Sequence, residues 1–209
     1  MNAAQTRDMF LHVAEVMIES EEFLTEIDNK IGDGDHGIGM AIGFKGVKKE
    51  LQGKEFRYVN EVLHCIGMTM LCVMGGASGV LFGTVFVSGI VGYENKEVFS
   101  LEDFGQVFVK SLEMLKKRGK AKVGDKTMID ALEPASYALA EGAKWGYDIK
   151  EGFSYAAAEA KRGMEYTKTC RARFGRAKYY GDDAIGLQDA GATSVSIIFD
   201  AMAEWVGRN

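Results

Sequence analysis

The sequence predicts an all-α fold, and three observations carry that expectation. Apolar residues recur at three- and four-residue steps along one segment after another, the spacing that lines one face of a helix. Only one proline, Pro134, occurs in 209 residues, so little interrupts a helix. No segment makes a convincing strand run. With 47% apolar and 26% charged residues, the chain has the balance of a soluble globular protein, and its length suits one domain spanning 1–209.

Eight helices are expected. The first is amphipathic, with Phe10, Val13, Val16, Met17 and Leu24 on one face, and its Arg7, Asp8 and Glu15 exclude a signal-peptide core. The second runs from about 37 to 51, and the third covers "YVNEVLHCIGMTMLCVM". The fourth follows Ser78, a good N-cap. The fifth opens at Ser100 with Asp103 three residues on, and closes in "KKRG", basic residues at the negative end of its dipole. The last three span roughly 127–144, 148–170 and 191–207. No Asp, Glu, Lys or Arg appears between Glu61 and Glu94. "GGASG" at 75–79 cuts that run into halves shorter than the ~20 residues a spanning helix needs, so two buried core helices are expected and no membrane.

The formal net charge of −5 leaves no basic footprint for nucleic acid. Cys65, Cys72 and Cys170 lack metal-ligand spacing and read as buried thiols of a reducing, cytoplasmic compartment.

The stretch "IGDGDHGIGM" at 31–40 concentrates the chemistry. Its glycines fit the spacing of a dinucleotide turn, but the residues before Gly32 read as polar helix where that motif needs a strand. An EF-hand fails because Ile38 and Phe44 stand where glycine and glutamate are required. "GKAKVGDKT" departs from a P-loop by the insertion of Asp125. What survives is a set of three carboxylates, Asp28, Asp33 and Asp35, at a helix end and the turn after it. Close carboxylates repel unless a cation sits among them, and hard oxygen ligands suit magnesium, which takes further ligands from phosphate. An ordinary Asp/Gly turn is the competing reading.

Three further loops weigh against that competitor. "GGASG" can cradle phosphate on backbone N–H groups, although close helix packing would also explain it. "RGKAKVGDKT" gathers Lys120, Lys122 and Lys126, where the plain expectation is a solvated surface. "RARFGRAKYYGDDAIGLQDAGATS" is long, glycine-rich and of mixed charge. The four loops follow the first, third, fifth and seventh helices, and alternate junctions of an up-and-down bundle lie at one end. Together they predict a nucleotide–magnesium site there.

"IGDGDHG", "GGASGVLFGT", "RGKAKVGDKTMIDALEPA" and "GRAKYYGDDAIGLQDAGATS", in this order, resemble the four signature blocks of the dihydroxyacetone kinase L subunit family, the nucleotide-binding half of that kinase. The resemblance spans essentially the whole chain. It implies an eight-helix up-and-down antiparallel barrel with the nucleotide at one end. Asp28, Asp33 and Asp35 would hold two magnesium ions bridging the phosphates of ADP or ATP. His36, Gly37, Ile38 and Gly39 would touch the nucleotide, Ala77 and Ser78 the phosphates. Gly119, Met128, Arg176, Asp189, Ala190 and Gly191 would complete the pocket. No catalytic residue beyond the metal ligands is implied.

The resemblance also implies a partner K subunit that holds the short ketose, and leaves open a phosphohistidine-carrying phosphotransferase-system subunit and a homodimer. Two rivals stand beside this reading: a kinase subunit for another ketose such as erythrulose, and a non-catalytic nucleotide-binding regulator. Where the family commonly reads "GERSIGHQDPGATS", this chain reads "GDDAIGLQDAGATS". Leu187 and Ala190 stand where histidine and proline are usual, and the segment from Gly181 to Gly191 is expected to be looser for it.

Overall fold

The structure, a computed structural model, describes residues 1–209 and holds nine α-helices and no strand. They are α1 (Ala3–Glu19), α2 (Glu21–Ile31), α3 (His36–Leu51), α4 (Val59–Val73), α5 (Gly76–Val87), α6 (Leu101–Gly119), α7 (Ile129–Lys144), α8 (Ile149–Tyr166) and α9 (Ala190–Arg208). Short 3₁₀ segments at Ser88–Ile90, Thr167–Thr169 and Ala177–Ala184 extend α5 and α8 and shape the last long loop. The all-α expectation holds. The count differs because the expected first helix breaks at Ser20, whose hydroxyl and N–H both turn back to the carbonyl of Val16.

Helix α5 begins at Gly76 with Gly75 as its N-cap, so Ser78 lies within the first turn and caps nothing. Elsewhere the cap chemistry acts as expected. Ser100 accepts the N–H of Asp103 while the Asp103 carboxylate accepts the N–H of Ser100, a reciprocal box that starts α6. Asn2 with Gln5 and Asp148 with Glu151 start α1 and α8 in the same way. At α4 the Glu61 carboxylate accepts the N–H groups of Arg57 and Tyr58. Neither α3 nor α5 is capped by the side chain of its own N-cap residue.

Each helix from α3 to α9 packs on the next, α9 returns to α1, and α1 packs on α3, so eight helices form a closed ring with α2 against α3 and α9. Aromatic pairs fill its interior. Phe10 meets Phe86 edge-on at 5.4 Å, linking α1 to α5, and Phe104 meets Phe153 at 5.3 Å, linking α6 to α8. Such contacts between helices that are not neighbours in the ring add ~0.5–1.5 kcal/mol each beyond their buried area.

The charge-free stretch forms α4 and α5, which approach closely: a side chain at Gly67 would meet the carbonyl of Gly83 at 2.7 Å. They are not the wholly buried pair the sequence suggested, since Met68, Leu71, Val73 and Val80 are exposed. No helix is long and apolar enough to cross a membrane. All three cysteines are free, but only Cys170 is buried; Cys65 is half-buried and Cys72 exposed.

Candidate nucleotide and metal site

The acid triad is assembled by a single helix-to-helix turn. Asp28 lies in the last turn of α2, Asp33 in the connection, and Asp35 at the N-cap of α3. Their carboxylate oxygens come within 4.8 Å of one another. Gly34, with φ of 77°, makes the turn in a left-handed conformation that a side chain would strain. The Asp28 carboxylate accepts the N–H groups of Gly34 at 2.9 Å and His36 at 3.3 Å, which folds the turn around it. Desolvation, then the charges of Asp33 and Asp28, raises the pKa of the Asp35 carboxyl. Three such groups held together, two of them exposed, form a donor set that fits a hard divalent cation. The Arg176 guanidinium reaches this cluster from the last long loop, with Nε 2.8 Å from Asp33.

Beside the triad lies a cavity of about 390 Å³. First-turn residues of α3 (His36), α5 (Ala77, Ser78), α7 (Ile129) and α9 (Gly191) all open onto it, and Gly119 at the end of α6 and Met128 before α7 complete its floor. Four helix N-termini therefore turn their positive dipole ends to one space. The His36 and Ile129 N–H groups are taken by the Asp28 carboxylate and the Thr127 hydroxyl, which leaves the first turns of α5 and α9 best suited to phosphate. Gly76, with φ of 68° and nothing within 4 Å of where a side chain would project, keeps the α5 start open. The His36 ring is buried, with Nε2 2.8 Å from the Ser194 hydroxyl and Nδ1 3.4 Å from that of Ser78. Burial lowers its pKa, favouring neutral imidazole.

Of the residues assigned from the sequence, His36, Ala77, Ser78, Gly119, Met128, Asp189 and Gly191 line this cavity, whereas Gly37, Ile38, Gly39, Arg176 and Ala190 do not. Gly37 is buried against α2, where a side chain would meet the Glu21 carbonyl at 2.2 Å. Ile38 is exposed on the outer face of α3, and Gly39 has open space before it. Ala190 is the first residue of α9, behind its cap Asp189. Sequence reasoning missed the apolar wall of Leu81, Phe82, Leu115 and Phe174, because such residues read as ordinary core. For Lys126 the plain expectation of a solvated lysine does not hold: the side chain is buried. A more open groove of about 900 Å³ between α3 and α4 has lysines and glutamates interleaved along it, and no helix N-terminus of the site set faces it.

The last long loop is held at several points. Leu187 packs beside Ile31, Ala172 and Ala184, and the Tyr180 hydroxyl donates to the Gly32 carbonyl. Asp189 caps α9 through the N–H of Ala192 at 2.7 Å, and burial pushes its carboxyl up to about 7. That carboxyl stays protonated in the fold to about neutrality, while in the unfolded chain it ionises near pH ~4. The unfolded state loses its proton first, so this group lowers stability as pH rises from ~4 to ~7. Asp189→Asn is expected to flatten that part of the profile in thermal melts, and an unaltered slope would assign it to other groups.

A carboxylate triad next to a pocket walled by helix N-termini suits a metal–nucleotide ligand, and the chain belongs to the DAK2 domain family, whose model matches residues 30–204. It is 34% identical over 203 residues to the ADP-binding subunit DhaL of the PEP-dependent dihydroxyacetone kinase of Escherichia coli strain K12, covering 97% of each chain. It is 38% identical over 186 residues to the corresponding subunit of PEP-dependent dihydroxyacetone kinase 1 of Listeria innocua, covering 89% of this chain and 88% of that one. Among solved structures, the dihydroxyacetone kinase from C. freundii in complex with AMP-PNP and Mg2+ matches with a TM-score of 0.74 at 26% identity. That match covers 98% of this chain and 34% of the other.

Proposed function

We propose that the chain is the nucleotide-binding subunit of a dihydroxyacetone kinase, a single helical domain over 1–209 that binds ADP or ATP with magnesium. It would act with a separate subunit that holds the ketose, the phosphoryl group passing to a hydroxyl of that sugar. The observation that carries this reading is the acid triad directly beside a cavity onto which four helix N-termini open. Asp28, Asp33 and Asp35 would hold the magnesium, whose charge would offset that of the phosphates. The first turns of α5 and α9 would receive phosphate oxygens on their N–H groups, and Leu81, Phe82 and Leu115 would exclude water from the nucleotide. Phosphoryl transfer demands mainly positioning and charge neutralisation, which suits a site without a covalent nucleophile.

Near full-length similarity to separate subunits of PEP-dependent kinases supports ADP as a resident cofactor, recharged through a phosphohistidine-carrying partner. The complete triad favours the kinase over a non-catalytic regulator. Exposed Ile38 and Ile42 on α3, with Val73 and Val80 nearby in the chain's site-end turns, offer apolar area for the ketose-binding subunit.

Phosphoryl transfer to a panel of short ketoses is the test. Turnover is expected only when the ketose-binding and phosphohistidine-carrying partners are both present with the chain, with dihydroxyacetone the preferred acceptor. Turnover by the pure chain, or none with any ketose in the reconstituted system, would overturn the assignment.

A further inference from the structure

Lys126 stands out from every other lysine of the chain by its burial, and it shares its backbone conformation only with Lys120 among the non-glycine residues. It is 1% exposed, and its backbone adopts φ of 58°, a left-handed conformation uncommon outside glycine and strained for a long side chain. Strain of that kind persists only where surrounding contacts fix it. Here the contacts are two backbone carbonyls: the ammonium donates to Thr167, at 2.6 Å, and to Leu187. The first carbonyl belongs to the C-cap of α8, where its 3₁₀ extension begins. The second belongs to the long loop, two residues before Asp189 and three before α9. One buried cation thus joins the beginning and the end of the 168–189 segment to the 120–128 loop.

Neighbouring bonds follow the same seam. The Arg173 N–H donates to the Asp125 carbonyl at 3.1 Å, Gly186 N–H to Lys168 at 2.7 Å, and Asp189 N–H to the Thr167 hydroxyl at 3.0 Å. The other ties of the loop include the Tyr180 hydroxyl on the Gly32 carbonyl and the ion pair of Arg173 with buried Asp125 across the same seam. They also include two pairs with both partners exposed, Arg171 with Asp182 and Arg176 with Asp33. Exposed pairs are weak and salt-screened, whereas hydrogen bonds from a buried charge are among the stronger ones. Phe174 and Gly175 of this segment and Lys126 itself line the cavity.

We infer that Lys126 is a positioning residue: its ammonium clamps the 168–189 segment against the 120–128 loop and so sets how fast a nucleotide leaves the cavity. The part concerning nucleotide rests on the function proposed above, whereas the clamp itself does not.

The experiment compares the parent chain with Lys126→Met, which keeps the stem and removes the donors, and Lys126→Gln, which keeps a neutral donor. Two rates are read: tryptic cleavage at the exposed Arg171, Arg173, Arg176 and Lys178 below the melting temperature, and release of a fluorescent ADP analogue in magnesium buffer. Loss of two charge-assisted bonds is expected to speed both on the order of 10-fold in Lys126→Met, with Lys126→Gln between it and the parent. A purely structural role would instead lower the melting temperature without singling out these cleavage sites. Unchanged cleavage and release in Lys126→Met overturn the inference. Faster cleavage with unchanged release overturns its nucleotide half. A parent chain that binds no ADP refutes the proposed function while the cleavage comparison still decides the clamp. If Lys126→Met does not fold, hydrogen exchange on the unaltered chain decides. The Gly186 and Asp189 amides should be protected together, and exchange of both at the free rate overturns the clamp.

Discussion

Asp35→Ala and Asp33→Ala are each expected to abolish magnesium-dependent ADP binding while leaving a folded helical chain. The three carboxylates lie within 4.8 Å of one another, so each substitution removes one anionic ligand from a small set. A cation that prefers oxygen ligands and gives up its water reluctantly has little to replace the loss. An affinity decrease on the order of 100-fold or more is expected in magnesium, with far less effect in its absence. Stability should move the other way. Asp35 sits beside two like charges that raise its pKa after desolvation, and truncation relieves that repulsion. Calorimetric titration with ADP, with and without magnesium, checks the first half, and thermal melts the second. Equal affinity for parent and both variants in magnesium would sink the metal assignment.

Two glycines two residues apart in the first turn of α3 should behave oppositely. A side chain at Gly37 would stand 2.2 Å from the Glu21 carbonyl and 2.6 Å from the Thr25 nitrogen. Backbone atoms cannot step aside, so Gly37→Ala must push the start of α3 away from α2, at ~1–3 kcal/mol of stability. Because His36 and Asp35 ride on that turn, magnesium–ADP affinity should fall as well. Gly39 has nothing within 4 Å, and replacing a helical glycine by alanine there should be neutral or stabilising by up to ~1 kcal/mol. Any loss of ADP affinity in Gly39→Ala would then report direct approach of the ligand to that helix face. Denaturant melts and titrations on the two variants separate these cases, and equal destabilisation by both would contradict the packing argument.

What was legible in the sequence is what is encoded locally. Asp28, Asp33 and Asp35 are brought together by one turn, so their proximity could be read from spacing alone. Ser100 and Asp103 announce α6 because a capping box is a four-residue object. The break at Ser20 was hidden, since the apolar phase of Met17 and Leu24 runs through it without glycine or proline. Ser78 misled because a good cap type lay inside a helix that starts earlier, on glycines. Lys126 misled for the complementary reason. A lysine among glycines and charges reads as solvated, and its two carbonyl partners lie 41 and 61 residues away in the chain. The apolar pocket wall was likewise invisible, because Phe82 and Leu115 have the same pattern whether they face a core or a ligand.

The distribution of helix caps has a consequence for how this domain can be altered. Side chains close the N-termini of α1, α4, α6 and α8, while first turns of α3, α5, α7 and α9 open on the cavity, where only α9 is closed by its own N-cap, Asp189. Changes that strengthen the scaffold and changes that alter the ligand thus fall in separate parts of the molecule. Substitutions in sites without shared partners add with little coupling. An engineer can improve the caps around Asn2, Ser100 or Asp148 to gain thermal margin, then use that margin for a destabilising redesign of the 75–79 or 181–191 segments. The same separation gives natural variation room to change the ligand while the frame stays as it is.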